Sequence, residues 1–304
     1  TRMTYINPRV DIAFKKIFGV EENKDLLISL INSIVSEQDQ VTDLTLLNPY
    51  NNKNFANDKL SILDVKAKDK NGRMFNIEIQ VTDEADYDKR ALYYWAKLYT
   101  EQLQGGMNYR YLSKAIGIHF LNFTSIPHAP KYHNVFHIRE KDSGILYFHD
   151  LELHTIELGK FSSLSEEEGL VELAAKVKNS IDMWAAFLTR HDLLKGDNLP
   201  ESLNTPELHK ALDVLQVMNF GSDEREAYES RLKWLRIEAN TVQKYEDQAR
   251  EEGIDIGEAR EKTQIAINML KENLSLELIH RVTNLSMETL LTLQENHPPS
   301  NTSL

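Results

Sequence analysis

Asp64, Glu78 and Gln80 stand in two short segments whose alternation would bring them to one place. The first segment is Ile62-Leu63-Asp64-Val65-Lys66. The second, beyond Asn71-Gly72, is Phe75-Asn76-Ile77-Glu78-Ile79-Gln80-Val81. Both are rich in β-branched residues and alternate with period two, and Asn-Gly is the strongest short-range hairpin signal. In the second arm Ile77, Ile79 and Val81 take one face and Glu78 and Gln80 the other. In the first, Asp64, Lys66 and Lys68 lie opposite Leu63, Val65 and Ala67. Two carboxylates converging at a sheet edge repel one another unless a cation lies between them, and oxygen ligands suit a hard ion such as Mg²⁺. The pattern predicts a metal site, against the plainer outcome of acids on the solvated face of a hairpin.

Other chemistry is narrowed by composition. The 304 residues contain no cysteine, which removes disulfides, thiolate catalysis and cysteine-bound zinc. Catalysis falls to carboxylates, amides, amines or imidazoles. No apolar run approaches the ~20 residues that span a bilayer, and Thr1-Arg2-Met3-Thr4 lacks the apolar stretch of a signal peptide. The expectation is a soluble cytoplasmic protein without membrane contact. The net charge of −12 is unevenly placed: residues 1–140 carry 18 Lys+Arg against 17 Asp+Glu, and residues 141–304 carry 17 against 30. A near-neutral first half can present a local basic groove to phosphates, whereas the acidic half suits other partners or simple solubility.

The elements that must position the acids follow from periodicity. Asn7-Pro8 opens a helix striped by Phe14, Ile17 and Phe18 and stopped at Gly19, and a second helix runs from about Asn23 to Ser36. Val41 to Leu47 reads as a strand, followed by an asparagine-rich loop and the hairpin. Asp86 to Gln104 has helical spacing, Ala115 to Phe123 reads as a buried strand, and further strands are expected around Asn134–Arg139 and Leu151–Thr155. Glu166 to Leu194 reads as one long helical stretch, and Pro206 to Leu293 as nearly all helical. Gly253 and Gly257 permit a kink or close helix approach, and the end from His297 reads as a polar tail. A boundary is placed near residue 160.

With that order, the chain resembles the recombination-promoting nuclease / putative transposase family, whose core is a PD-(D/E)XK nuclease fold. The resemblance is carried by Asp11-Ile12-Ala13-Phe14-Lys15-Lys16-Ile17-Phe18-Gly19, Leu63-Asp64-Val65, Asn76-Ile77-Glu78-Ile79-Gln80, Arg90-Ala91-Leu92-Tyr93-Tyr94 and Glu157-Leu158-Gly159-Lys160-Phe161. Leu274-Ser275-Leu276-Glu277-Leu278-Ile279 and Thr283-Asn284-Leu285-Ser286 extend it. It implies a restriction-endonuclease-like α/β domain over 1–160, a mixed central sheet flanked by helices, and a helical C-terminal region over 161–304. It also implies Asp64 and Glu78 as ligands of Mg²⁺ or Mn²⁺, with Asp11 as a further acid. Gln80 falls where lysine is standard; an amide cannot act as a base or bring charge, although it can orient a water.

Lys15 follows Asp11 by one helical turn, as either an ordinary ion pair or part of the site. Lys15, Lys66 and Arg90 are the candidate nucleic-acid contacts, with Lys66 also a candidate for the missing lysine. Tyr93, Tyr94, Trp95 and Leu98 read as divided between core packing, the main role for most of them, and a dimer contact. His119 reads as a satisfied core histidine, and His133 and His137 as too isolated for a metal cluster. Leu274–Leu291 superficially resembles a helix-turn-helix, but its acidic surroundings favour a helical hairpin for oligomer contacts. The reading is a metal-dependent DNA endonuclease tied to recombination or mobile elements, working as a homodimer. Its rivals are a noncatalytic nucleic-acid-binding regulator of the same descent and a self-associating interaction protein.

Overall fold

Six strands form one mixed sheet in the order β1-β2-β3-β4-β6-β5. They are β1 (Leu44–Leu46), β2 (Val65–Asp69), β3 (Met74–Gln80), β4 (Ala115–Leu121), β5 (His133–Arg139) and β6 (Leu146–Glu157). The computed structural model describes residues 6–50, 64–81, 86–162, 168–195, 198–233, 235–236 and 262–296. Pairing is antiparallel from β1 through β3, parallel from β3 through β4 to β6, and antiparallel again at β5. The one strand with parallel neighbours on both sides, β4, is also an unbroken buried run, Ala-Ile-Gly-Ile-His-Phe-Leu, as burial on both faces requires.

Helices α1 (Asp11–Phe18) and α2 (Lys24–Ile34) supply Phe14, Ile17, Phe18, Leu26, Leu27 and Leu30, all wholly buried, to the main core. That core takes Val65, Ala67, Phe75, Ile77 and Ile79 from one face of the hairpin. The opposite face carries α3 (Tyr87–Thr100), the crossover between parallel strands β3 and β4. There Leu98 packs with Met74 and Ala115, and Tyr87 and Ala91 pack with Leu121. The acidic face of the hairpin is thus roofed by one helix, not left to solvent.

The boundary expected near residue 160 is not where the compact unit ends. The chain forms two units, Thr1–Arg236 and Ile237–Leu304. Helices α4 (Leu158–Phe161), α5 (Leu170–Lys176), α6 (Ser180–Arg190) and α7 (Pro206–Val217) deliver apolar residues to the same core as α1 and α2. Trp184 of α6, wholly buried, lies edge-on to Phe18 at 5.4 Å between ring centres, and its Nε1 donates to Ser29 Oγ at 3.3 Å. A further helix, α8 (residues 222–233), brings Tyr228 and Leu232 against Val10, Ile12 and Ala13. The helices between residues 158 and 233 therefore close over α1 and α2, whose apolar faces need that cover.

The single long helix expected over Glu166–Leu194 is broken as well. Asn179 starts α6 by accepting from Asp182 N at 3.1 Å, and the preceding helix stops at Lys176; an N-cap is incompatible with a continuous helix. In the second unit, helices 262–271, Leu276–Thr283 and Met287–Asn296 share Ala266, Leu270, Ile279 and Leu290. Asn284 at φ 58° ends the middle one, and Ser286 Oγ accepts from Thr289 N at 3.2 Å to begin the next. The expectations for Ile62 and Leu63, the asparagine-rich loop at 51–57, Gly253, Gly257 and the tail lie outside the described residues. Among those described, no helix is long and apolar enough to cross a membrane.

Trp184→Ala should lower stability by about 3–5 kcal/mol, the usual cost of emptying a large aromatic site, read as a lower denaturant midpoint. A loss under ~1 kcal/mol would mean that α6 is not integral to the nuclease-like core.

Candidate active site

The hairpin turns at Gly72, whose φ of +85° only glycine adopts without strain. Asp69 holds the turn by accepting from Asn71 N and Arg73 N, both at 2.9 Å. The resulting register pairs Val65 with Ile77 and Lys66 with Asn76. Asp64 stands one residue before the first paired residue of β2, and Glu78 one residue after Ile77. Glu78 lies on the face opposite Ile77, and its charge is felt at Asp64. Glu78 in turn lies beside His119 of β4, and Gln80 beside Leu121.

Lys15, expected as a nucleic-acid contact or as the ion-pair partner of Asp11, is neither. It is wholly buried. Its Nζ donates to the backbone carbonyls of Asn48 at 2.6 Å and Asp64 at 2.5 Å. Burial pulls its pKa down to about 8, although the charge of Asp64 opposes the fall. Asn48, which the sequence reading passed over, completes this joint. Its Nδ2 donates to Asp64 O at 3.1 Å and Oδ1 at 3.3 Å, and its Oδ1 accepts from Lys66 N at 2.8 Å. Lys66 Nζ lies 3.7 Å from Asp64 Oδ2 and stays half-buried at the rim.

Arg90, one helical turn into α3, does not stand free for phosphate. Its guanidinium donates to Glu78 Oε1 at 3.1 Å and to Gln80 Oε1. A phosphate contact therefore requires it to leave or share these acceptors. Asp11 begins α1 and pairs with Arg231 of α8, whose Nε lies 2.7 Å from Oδ1 without the alignment of a hydrogen bond. Asp11 Oδ1 also accepts from Ile12 N at 2.8 Å. Arg231 lies 220 positions beyond Asp11, with no local motif to announce it.

Charge balance distinguishes this cluster. Burial lifts the Asp11 carboxyl to about 6, with the charge of Glu78 adding to the rise and Arg231 opposing it. The Asp64 carboxyl is also raised, chiefly by burial, with Lys66 and Lys15 opposing and Glu78 adding. Among the described residues these two are the acids shifted upward; Asp25, Asp43, Glu140, Glu152, Glu168, Asp192 and Glu224 are shifted down by partners. Upward shifts confined to one cluster of acids are a signature of functional sites.

A hard cation fits the donor chemistry of Asp64 and Glu78. Both carboxylates are mostly buried and are charged oxygen donors. Among the described residues, no three acidic or imidazole side chains are gathered as a ready-made metal cage, and Arg90 supplies the positive charge on Glu78.

Some histidines and aromatics depart from expectation. His119 is buried, but its Nδ1 finds no partner. His133 and His137 have hydrogen-bond partners, with His133 Nε2 meeting His154 Nδ1 at 2.9 Å and Glu152 meeting His154 at 2.7 Å and His137 at 2.8 Å, but among the described residues they form no metal-holding group, as expected. Of the four α3 residues read chiefly as packing, Leu98 is buried and Trp95 Nε1 donates to Ala115 O at 2.8 Å, whereas Tyr93 and Tyr94 are exposed.

A mixed sheet with acids on its antiparallel hairpin, flanked by helices on both faces, is an α/β core of the PD-(D/E)XK type. Residues 8–245 match the PD-(D/E)XK nuclease family transposases, and the chain belongs to that family. The matched span runs past residue 160 to include α8 and its Arg231. No curated protein and no solved structure gives a match.

Because the folded Asp11 holds its proton up to about pH 6 and an unfolded one releases it near the ordinary 3.8, its contribution to stability falls as pH rises between those values. In EDTA, Asp11→Asn should therefore gain in melting temperature over wild type as pH goes from about 4 to about 6, with the gain level above that range. A difference independent of pH would place Asp11 in an ordinary polar setting.

Proposed function

We propose that this protein is a metal-dependent DNA endonuclease serving recombination or a mobile element, with Asp64 and Glu78 holding Mg²⁺ or Mn²⁺. The observation that carries this reading is the closeness of three mostly buried acids: the charge of Glu78 is felt at both Asp64 and Asp11. A bound divalent cation would lower the pKa of its water and stabilise charge on the phosphate. The chain's own part is positional. Lys15 and Asn48 hold the backbone at Asp64, Gln80 orients the attacking water through its amide, and Asp11 is the further acid beside them. Arg90 exchanges its carboxylate for the substrate's phosphate, and Lys66 at the rim adds a second positive charge.

A nicking assay on supercoiled plasmid tests this. Asp64→Ala and Glu78→Ala should each lose roughly 100-fold or more, a barrier increase of several kcal/mol, and EDTA should do the same to wild type. Gln80→Ala should lose less, because only water orientation goes. Cleavage by Asp64→Ala at the wild-type rate would end the assignment. A second reading, a nucleic-acid-binding regulator that does not cut, is favoured by the seat of Arg90 on Glu78 and Gln80 together, and DNA binding with no metal-dependent nicking would select it.

Self-association is assigned to the helical C-terminal region, where Leu274, Val282 and Leu291 are exposed. Sedimentation of the full chain should give a dimer, and Val282→Glu with Leu291→Glu should shift it toward monomer. A full chain that is monomeric at high micromolar concentration would remove this assignment.

A further inference from the structure

On the face that carries Glu78, one strand farther along, a cavity of about 290 Å³ opens between α3 and strands β4, β5 and β6. Tyr87, Ala91, His119, Phe136, Leu153 and Thr155 line it. Three of these bring buried polar atoms that find no hydrogen-bond partner: Tyr87 OH, His119 Nδ1 and Thr155 Oγ1. Unpaired polar atoms are costly in a protein interior, and three meeting in one apolar cavity call for a ligand that supplies the missing bonds.

The walls limit what that ligand can be. The volume sits at the low end of the ~300–1,000 Å³ typical of small-molecule clefts, enough for one heterocycle. The polar side chains of the lining, Asp88 apart, are the Tyr87 phenol, the imidazoles of His119 and His154 and the hydroxyls of Ser125 and Thr155. The lining therefore offers hydrogen-bond donors and acceptors and, among the described residues, contains no lysine or arginine. The charge of Glu78 reaches both His119 and Tyr87, and Asp88 stands at the wall, so an anion is repelled. A flat, uncharged ring with hydrogen-bonding edges fits, and the aromatic rings of Tyr87, His119 and Phe136 suit its faces.

We infer that this cavity receives one nucleobase, unstacked from a DNA strand whose phosphate lies at the Asp64–Glu78 site. This rests on the nucleic-acid reading proposed above. The His119–Glu78 pairing across adjacent strands makes the base pocket and the phosphate site neighbours. Unstacking is least costly in a strand already single or distorted, so the enzyme would favour such DNA over a regular duplex.

Full-length protein in EDTA, where nothing is cut, can be titrated with a mixed-sequence single strand and with an abasic deoxyribose-phosphate strand of equal length. Wild type should prefer the strand with bases by about tenfold or more. Ala91→Phe, which fills the cavity, should bring that ratio toward one. Thr155→Val, nearly isosteric, should lower it several-fold while raising the melting temperature, because an unpaired hydroxyl is removed; it carries the test if Ala91→Phe does not fold. A ratio unchanged in Thr155→Val would overturn the base pocket and leave the nucleic-acid reading standing. Wild type that binds neither strand would remove both.

Discussion

The ammonium of Lys15 fixes where the hairpin begins relative to the first helix. It reaches from α1 through the core to the carbonyls of Asn48 and Asp64, and so joins the chain before and after the segment that precedes the hairpin. Burying a lysine charge is unfavourable unless its hydrogen bonds are made, so the two carbonyls are not optional. The same side chain dictates Gly19: a Cβ there would sit 2.6 Å from Lys15 Cδ. Asp64 owes its position to this joint, because it lies just outside the regular pairing of β2 and has no ladder of its own.

A second charged network, on the other side of the sheet, shows by contrast what is unusual about the acidic cluster. Asp39, Arg73, Lys114, Glu152 and His137 are linked by contacts of 2.5–3.0 Å. Its carboxylate Glu152 is held well below the ordinary range by His154, Lys114 and His137 against the effect of burial. Positive charge there meets the acids fully, and the network can tie β4 and β6 to the loop after α2. Around Asp11 and Asp64 burial outweighs the nearby Arg231, Lys66 and Lys15, so both carboxyls are raised instead.

Much of the fold was legible because it rests on local signals. Period-two alternation and Asn71-Gly72 place the hairpin and its faces, and the continuous apolar run of β4 places the buried strand. The break at Asn179 could have been read from asparagine followed by Ser180-Ile181-Asp182, a capping pattern overridden by the apolar periodicity around it. Lys15 is the instructive failure. Spacing from Asp11 suggests a surface pair, but a lysine flanked by Phe14 and Ile17 on a helix packed from several sides has no surface to reach. Arg231 and Asn48 were illegible for a different reason: their partners lie far off in sequence, and only the packing of α8 and the approach to β2 bring them in.

The contact of α8 with the start of the chain also sets an order of events during synthesis. Asn7 N donates to Tyr228 OH at 2.8 Å across 221 positions, and Arg231 reaches Asp11 beside it. A growing chain exposes its first helix long before either partner has left the ribosome, and contacts so distant in sequence form late. Until then Asp11 is an ordinary exposed carboxylate, and the apolar side of α1 lacks its last cover. The acidic cluster thus reaches its final electrostatic state only once Arg231, 220 positions after Asp11, has been made.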